Sequence, residues 1–212
     1  MRRKFLPWIE SRKNELDWDY LSFCSTDLSI LERNQDKLNW EIMSININAL
    51  PLLEKNQDKI DWMRLSLNIN AISILEKNLD KIYWRELSRN INAISILEKN
   101  LDKIDWYWLS YNINAISILE KNLDKINWSN LSCNISAIPL LERNQDKIDW
   151  SIFSSNANAI SFLEKNQGKV DFGWLSYNSR IFTYDYEYFR RRMDLHREEL
   201  MKTLLTSRRR RI

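Results

Sequence analysis

Large aromatic residues mark this chain at one unbroken period. Trp18, Trp40, Trp62, Trp84, Trp106, Trp128, Trp150 and Phe172 stand 22 residues apart, with no insertion between them. The wording between them is nearly constant, as in Trp84-Arg-Glu-Leu-Ser-Arg-Asn-Ile-Asn-Ala-Ile-Ser-Ile-Leu-Glu-Lys-Asn-Leu-Asp-Lys-Ile-Asp105. Each unit divides at asparagines such as Asn90 and Asn100 into two segments of about ten residues, and asparagine is a favoured helix N-cap. Behind Asn100, the acidic Asp102 falls in the first turn, where the helix dipole favours it, and Ile104, Trp106 and Leu109 form one apolar face. Behind Asn90, the residues Ala93, Ile94, Ile96 and Leu97 do the same at helical spacing. Helices this short do not persist alone in water, so they must stack on their neighbours.

The pattern therefore predicts an all-α fold, an α-solenoid of tandem two-helix, 22-residue repeats with a C-terminal capping helix. Residues 1–17 form an N-terminal cap and partial repeat, 18–171 hold seven complete repeats, 172–182 a partial repeat, and 183–212 the capping helix with a basic tail. The expected capping helix offers Tyr188, Phe189, Met193, Leu200, Met201, Leu204 and Leu205 for burial. A leucine-rich-repeat coil has a similar period. It fits less well: in Ile72-Ser-Ile-Leu-Glu-Lys-Asn78 the asparagine comes one residue late and Leu75 breaks the alternation a strand needs.

Composition supports helices, since 212 residues contain only two glycines and three prolines, too few for an all-β chain of tight hairpins. The net charge of +3 is unevenly placed. Residues 1–17 carry +2 and 173–212 carry +5, which leaves −4 on the array. Two cysteines, Cys24 and Cys133, make neither a disulfide framework nor a metal set, which points to a reducing compartment. The basic start lacks the apolar stretch of a signal peptide, and no segment approaches the roughly 20 apolar residues of a membrane span. A soluble, non-secreted protein without cofactor or metal is the expectation.

The run from Leu87 to Trp106, Leu-Ser-x-Asn-x-Asn-Ala-Ile-x-x-Leu-Glu-Lys-Asn-x-Asp-Lys-Ile-Asp-Trp, resembles the short helical repeats of giant DNA viruses of the mimivirus type. The segment from Tyr184 to Met201 is similar to the region that closes those proteins. Two departures stand out. Where that family has proline after the asparagines, this chain has Ile47, Ile69, Ile91 and Ile113 at one site and Gln57, Leu79, Leu101 and Leu123 at the other. The family's histidine-proline ending is replaced by Thr206-Ser-Arg-Arg-Arg-Arg. The resemblance implies an ankyrin-like interaction role in the host-cell cytoplasm or the virion.

Comparison among the copies separates frame from variable surface. Serines from Ser22 to Ser176 and glutamates from Glu32 to Glu164 recur in every copy, as expected of groups that satisfy helix ends. Variation concentrates at the first, second and fifth residues after each tryptophan, which share one helix face. On that ribbon Arg64 and Leu67, then Arg85 and Arg89, lead to Tyr107, Trp108 and Tyr111, the residue types that dominate interface hot spots. A protein partner is the first expectation. Nucleic-acid binding through Arg208, Arg209, Arg210 and Arg211 is an alternative, set against an array that is net acidic. Self-association through the ribbon or the array ends is a third. No phosphate loop or nucleophile-base arrangement points to an enzyme, and the lone His196 reads as a surface residue.

Overall fold

The computed structural model describes residues 4–183 and 185–209, with side chains described as far as residue 197. Among the described residues the regular elements are all helices, without a strand, and they form the expected α-solenoid of 22-residue repeats. In the central repeat, a first helix Trp84–Arg89 is followed by a second helix Ile94–Glu98 and then a 3₁₀ turn Leu101–Lys103. The next repeat restarts with Trp106–Tyr111, and the first helices stack one on another along the array.

Asn90 and Asn100 do something other than start helices. At Ile104 the backbone is extended, with φ −65° and ψ 131°, which separates the 3₁₀ turn from the helix that begins at Trp106. The cap of that first helix is Asp105, whose carboxylate accepts the Trp108 N–H at 3.1 Å. Asp17, Asn39, Asp61, Asn127, Asp149 and Asp171 cap their helices in the same way. Tyr83 replaces this residue in one repeat and leaves its helix without a side-chain cap. Asn100 instead closes the preceding helix, donating its side-chain N–H to the Ile96 carbonyl at 2.8 Å.

Asn90 joins repeats. Its amide donates to the carbonyls of Ser66 at 3.0 Å and Asn68 at 3.1 Å, both in the preceding repeat. Its side-chain oxygen accepts the Asn92 N–H at 3.0 Å, which holds the chain in the turn before the second helix. Asn68, Asn112, Asn134 and Asn156 repeat this arrangement, so a ladder of buried amides runs through the array. The recurrent serine is the second fastener. The Ser88 hydroxyl donates to the Trp84 carbonyl at 2.7 Å and accepts the Asp105 N–H at 3.0 Å. Among the described residues, no buried side-chain nitrogen or oxygen lacks a partner.

The apolar core occupies the space between the two helix rows. In the central repeat Leu87, Ala93, Ile96, Leu97 and Ile104 are buried, and the equivalent residues of the neighbouring repeats continue the same cluster. Burying each leucine or isoleucine side chain contributes about 1.5–3 kcal/mol, which short helices cannot obtain alone. Trp84 is half-buried against this core, and Lys103 lies over its ring at 5.0 Å from the centroid. The periodic tryptophans thus belong to the frame.

A long C-terminal helix, Tyr186–Arg209, is present as expected. Its described side chains, from residue 186 to 197, are all exposed, Tyr188, Phe189 and Met193 among them, so the burial expected of these residues against the array does not occur. The side chains of Leu200, Met201, Leu204 and Leu205 lie outside the described residues.

Two substitutions test this frame. Asn112→Ala leaves the Ser88 carbonyl without its donor and the Asn90 carbonyl with the Ala93 N–H alone, and it is expected to destabilise the protein by about 1–3 kcal/mol, read as a lower urea midpoint of helical circular dichroism. Tyr83→Asp supplies the missing cap and is expected to raise that midpoint by the equivalent of about 1 kcal/mol. An unchanged or lowered midpoint would show that the cap position contributes nothing in this repeat.

Candidate functional site

The residues that vary most among the copies lie on the outer face of the first-helix row, and the structure separates them into two kinds. The second residue after the tryptophan packs against the preceding repeat at Arg64, Trp108 and Asn130, whereas Tyr20, at the start of the array, is exposed. Arg64 is half-buried and paired with Glu41, with its Nε donating at 3.0 Å. Asn130 is buried and donates to the Tyr107 carbonyl at 2.8 Å. Trp108 holds the same place between Arg85 and Arg89. The first and fifth residues point outward, and Arg85, Arg89, Tyr107 and Tyr111 are all exposed. Leu67, also a fifth residue, is half-buried.

Five of the seven expected residues therefore form one cluster. Trp108 is the platform: the Arg89 guanidinium carbon sits 4.4 Å from its ring centroid and that of Arg85 sits 5.6 Å away, both within cation–π range. Tyr107 meets Trp108 edge-on at 5.2 Å, and Tyr111 lies 5.8 Å from it. Tyr107 and Tyr111 are themselves 6.0 Å apart. The rings hold one another, so their orientation is set before any partner arrives. Tyr107 nevertheless remains 49% exposed and Tyr111 39% exposed. Neither Arg85 nor Arg89 is paired with a carboxylate among the described residues. Arg64 stands apart from this cluster because Glu41 already holds its charge.

Sequence comparison did not single out Tyr83. It is exposed and, with Met63, Trp62 and Lys81, lines a shallow cleft of about 670 Å³ two repeats before the aromatic cluster. The available signal was its departure from aspartate or asparagine at the cap position. Among the described residues there is no group of three or more metal-ligating side chains, and no helix is long and apolar enough to cross a membrane. His196 is exposed. Arg210 and Arg211, and the side chains of Arg208 and Arg209, lie outside the described residues.

The two thiols differ. Cys24 is exposed, whereas Cys133 is half-buried beside Tyr111 and donates to the Asn130 carbonyl at 3.1 Å. Burial pushes the Cys133 thiol above its ordinary pKa and does the same to the Tyr111 phenol, so both stay protonated at neutral pH. Less thiolate at Cys133 means slower alkylation. Iodoacetamide at pH about 8 is expected to label Cys24 first, as read by peptide mass spectrometry; equal rates would show that the cluster does not shield Cys133.

No protein-family model matches the chain, and no curated protein or solved structure is significantly similar to it, so the functional reading rests on the repeat and this surface.

Proposed function

We propose that the protein is a non-catalytic repeat scaffold that captures a protein partner on the face formed by Arg85, Arg89, Tyr107 and Tyr111 over Trp108. One observation carries this reading. Two tyrosines and two arginines are preset on a shared tryptophan, exposed, and not needed by the inter-repeat hydrogen bonds that hold the array. Large, rigid side chains that lose little freedom on binding are the usual anchors of protein interfaces. Arg64 and Leu67 extend the same face toward the cleft beside Tyr83. The likeness of the repeat to those of mimivirus-type proteins supports a scaffold acting on viral or host partners within an infected cell.

Nucleic-acid binding is the less favoured reading. Base stacking needs an open ring face, and Arg89 lies over the ring of Trp108. The array itself is net acidic.

Tyr107→Ala combined with Tyr111→Ala removes exposed rings and no frame contact, so helical circular dichroism is expected to stay unchanged. Quantitative capture of the partner purified from infected cells should fall at least tenfold, about 1.4 kcal/mol or more. Trp108→Ala should weaken capture too, and because this ring is half-buried it should also lower the unfolding midpoint. Full capture by the double tyrosine variant would remove this face as the binding site.

A further inference from the structure

The array stops half-way through a repeat at each end, and the two halves are complementary. Phe172 to Phe182 supplies the first eleven positions of the 22-residue unit, and Pro7 to Asp17 supplies the last eleven. The structure follows the repeat in both pieces. At the C-terminal end, Phe172–Leu175 is a first helix capped by Asp171, and Asn178 bonds back to the Ser154 and Asn156 carbonyls at 3.2 and 2.7 Å. At the N-terminal end, Pro7–Glu10 stands in the place of a second helix and Lys13–Glu15 in that of the 3₁₀ turn. Pro7 occupies the position that Pro51 and Pro139 hold in complete repeats.

Each half exposes what the other would cover. Trp8 is 66% exposed, whereas of its equivalents Leu52, Ile74, Ile96, Ile118 and Leu140 are exposed by 2% or less, Phe162 by 7%, and Ile30, in the first complete repeat, is half-buried. Phe172 is 70% exposed and Phe182 84% exposed, and between them lies an apolar groove of about 460 Å³ that also includes Ile160, Leu163 and Leu175. The groove borders the last second helix, Ile160–Lys165, against which the following second helix would stack. After Phe182 the chain leaves the repeat pattern and enters the helix Tyr186–Arg209, whose described side chains, 186 to 197, are exposed, so none of them fills that place.

The hydrogen bonds correspond as well. In complete repeats the serine hydroxyl accepts the N–H of the residue before the next tryptophan, as Ser88 does from Asp105. Among the described residues Ser176 has no such donor, and the Asp17 N–H, which sits at the donor's position, has no such acceptor.

We propose that a second copy of this chain docks end to end, its Pro7–Asp17 half completing the Phe172–Phe182 half into a full repeat. Trp8 of one copy then enters the groove beside Phe172 and Phe182 of the other, and the Asp17 N–H meets the Ser176 hydroxyl. Cys24 stands where other copies place the ladder asparagine, so this junction lacks one rung and is held by the apolar contact and the serine bond. A weaker contact than those within the array follows, one that depends on concentration. Because the two contacting surfaces differ, the contact is heterologous and growth is open-ended.

Sedimentation velocity of the full chain over a hundredfold range of concentration tests this. Wild type is expected to shift from monomer to dimer and longer species. Trp8→Glu and Phe172→Glu alter exposed residues at opposite ends, and each alone should remain monomeric with unchanged circular dichroism. Mixed in equal amounts, they should form dimers and nothing longer, because each supplies one intact end. A monomeric wild type would overturn the proposal. So would association that survives in either single variant, which would indicate a symmetric contact or one made by the Tyr186–Arg209 helix. Tyr107→Ala with Tyr111→Ala should assemble like wild type; loss of assembly there would move the contact to the ribbon and overturn the end-to-end arrangement.

Discussion

The fold depends on backbone carbonyls at the end of each first helix that take a donor from the next repeat. The Ser66 and Asn68 carbonyls stand at the end of a first helix, where the intrahelical ladder stops, and they are satisfied by the amide of Asn90 from the next repeat. Removing that donor leaves the buried Ser66 carbonyl unpaired, while the Asn68 carbonyl keeps the Ala71 N–H of its own repeat, and an unpaired buried acceptor costs more than the bond itself contributes. Each repeat is therefore completed by its successor. Apolar burial stabilises the stack without fixing its register, whereas a buried amide with two acceptors and one donor in place admits a single spacing. The same asparagine recurs at every junction from Asn46 to Asn178 because each junction has the same need.

That division of labour explains where the chain can vary. Asparagine, serine, alanine, leucine and isoleucine at the interior positions satisfy the backbone and fill the space between helix rows. The first and fifth residues after the tryptophan are exposed in the Trp84 and Trp106 repeats and half-buried at Leu67 and Cys133, so their identity costs the frame little where they meet solvent. The second residue is intermediate: it touches the preceding repeat, and it can do so as Arg64 on Glu41, as Trp108 between two arginines, or as Asn130 on the Tyr107 carbonyl. A binding surface on such a frame is assembled by choosing outward residues in adjacent repeats, and the tyrosine and arginine cluster over Trp108 spans two of them.

The ends face the opposite situation. Inside the array the core positions and the recurrent serines from Ser22 to Ser154 meet a neighbour, while Trp8, Phe172 and Ser176 are exposed or unmatched among the described residues. Repeat arrays ordinarily close such faces with polar caps. Here the described part of the C-terminal helix stays exposed, which leaves the terminal half-repeats available to each other.

The period of 22, the helical class and the half-repeats at both ends were readable from the sequence, because tryptophan spacing and apolar spacing are properties of a single chain. The variable ribbon was readable for the same reason, by comparing copies. The work of the asparagines was not. An asparagine can cap a helix, hold a turn or bond across to a neighbour with the same side chain, and only the position of the neighbouring carbonyls decides among these. The tertiary structure placed Asn90 beside the carbonyls of another repeat, gave the caps to Asp105 and its equivalents, and turned the second variable residue inward. It also left side chains 186 to 197 of the C-terminal helix exposed, although Tyr188, Phe189 and Met193 suit burial, since an apolar stripe states that a helix can pack and not where.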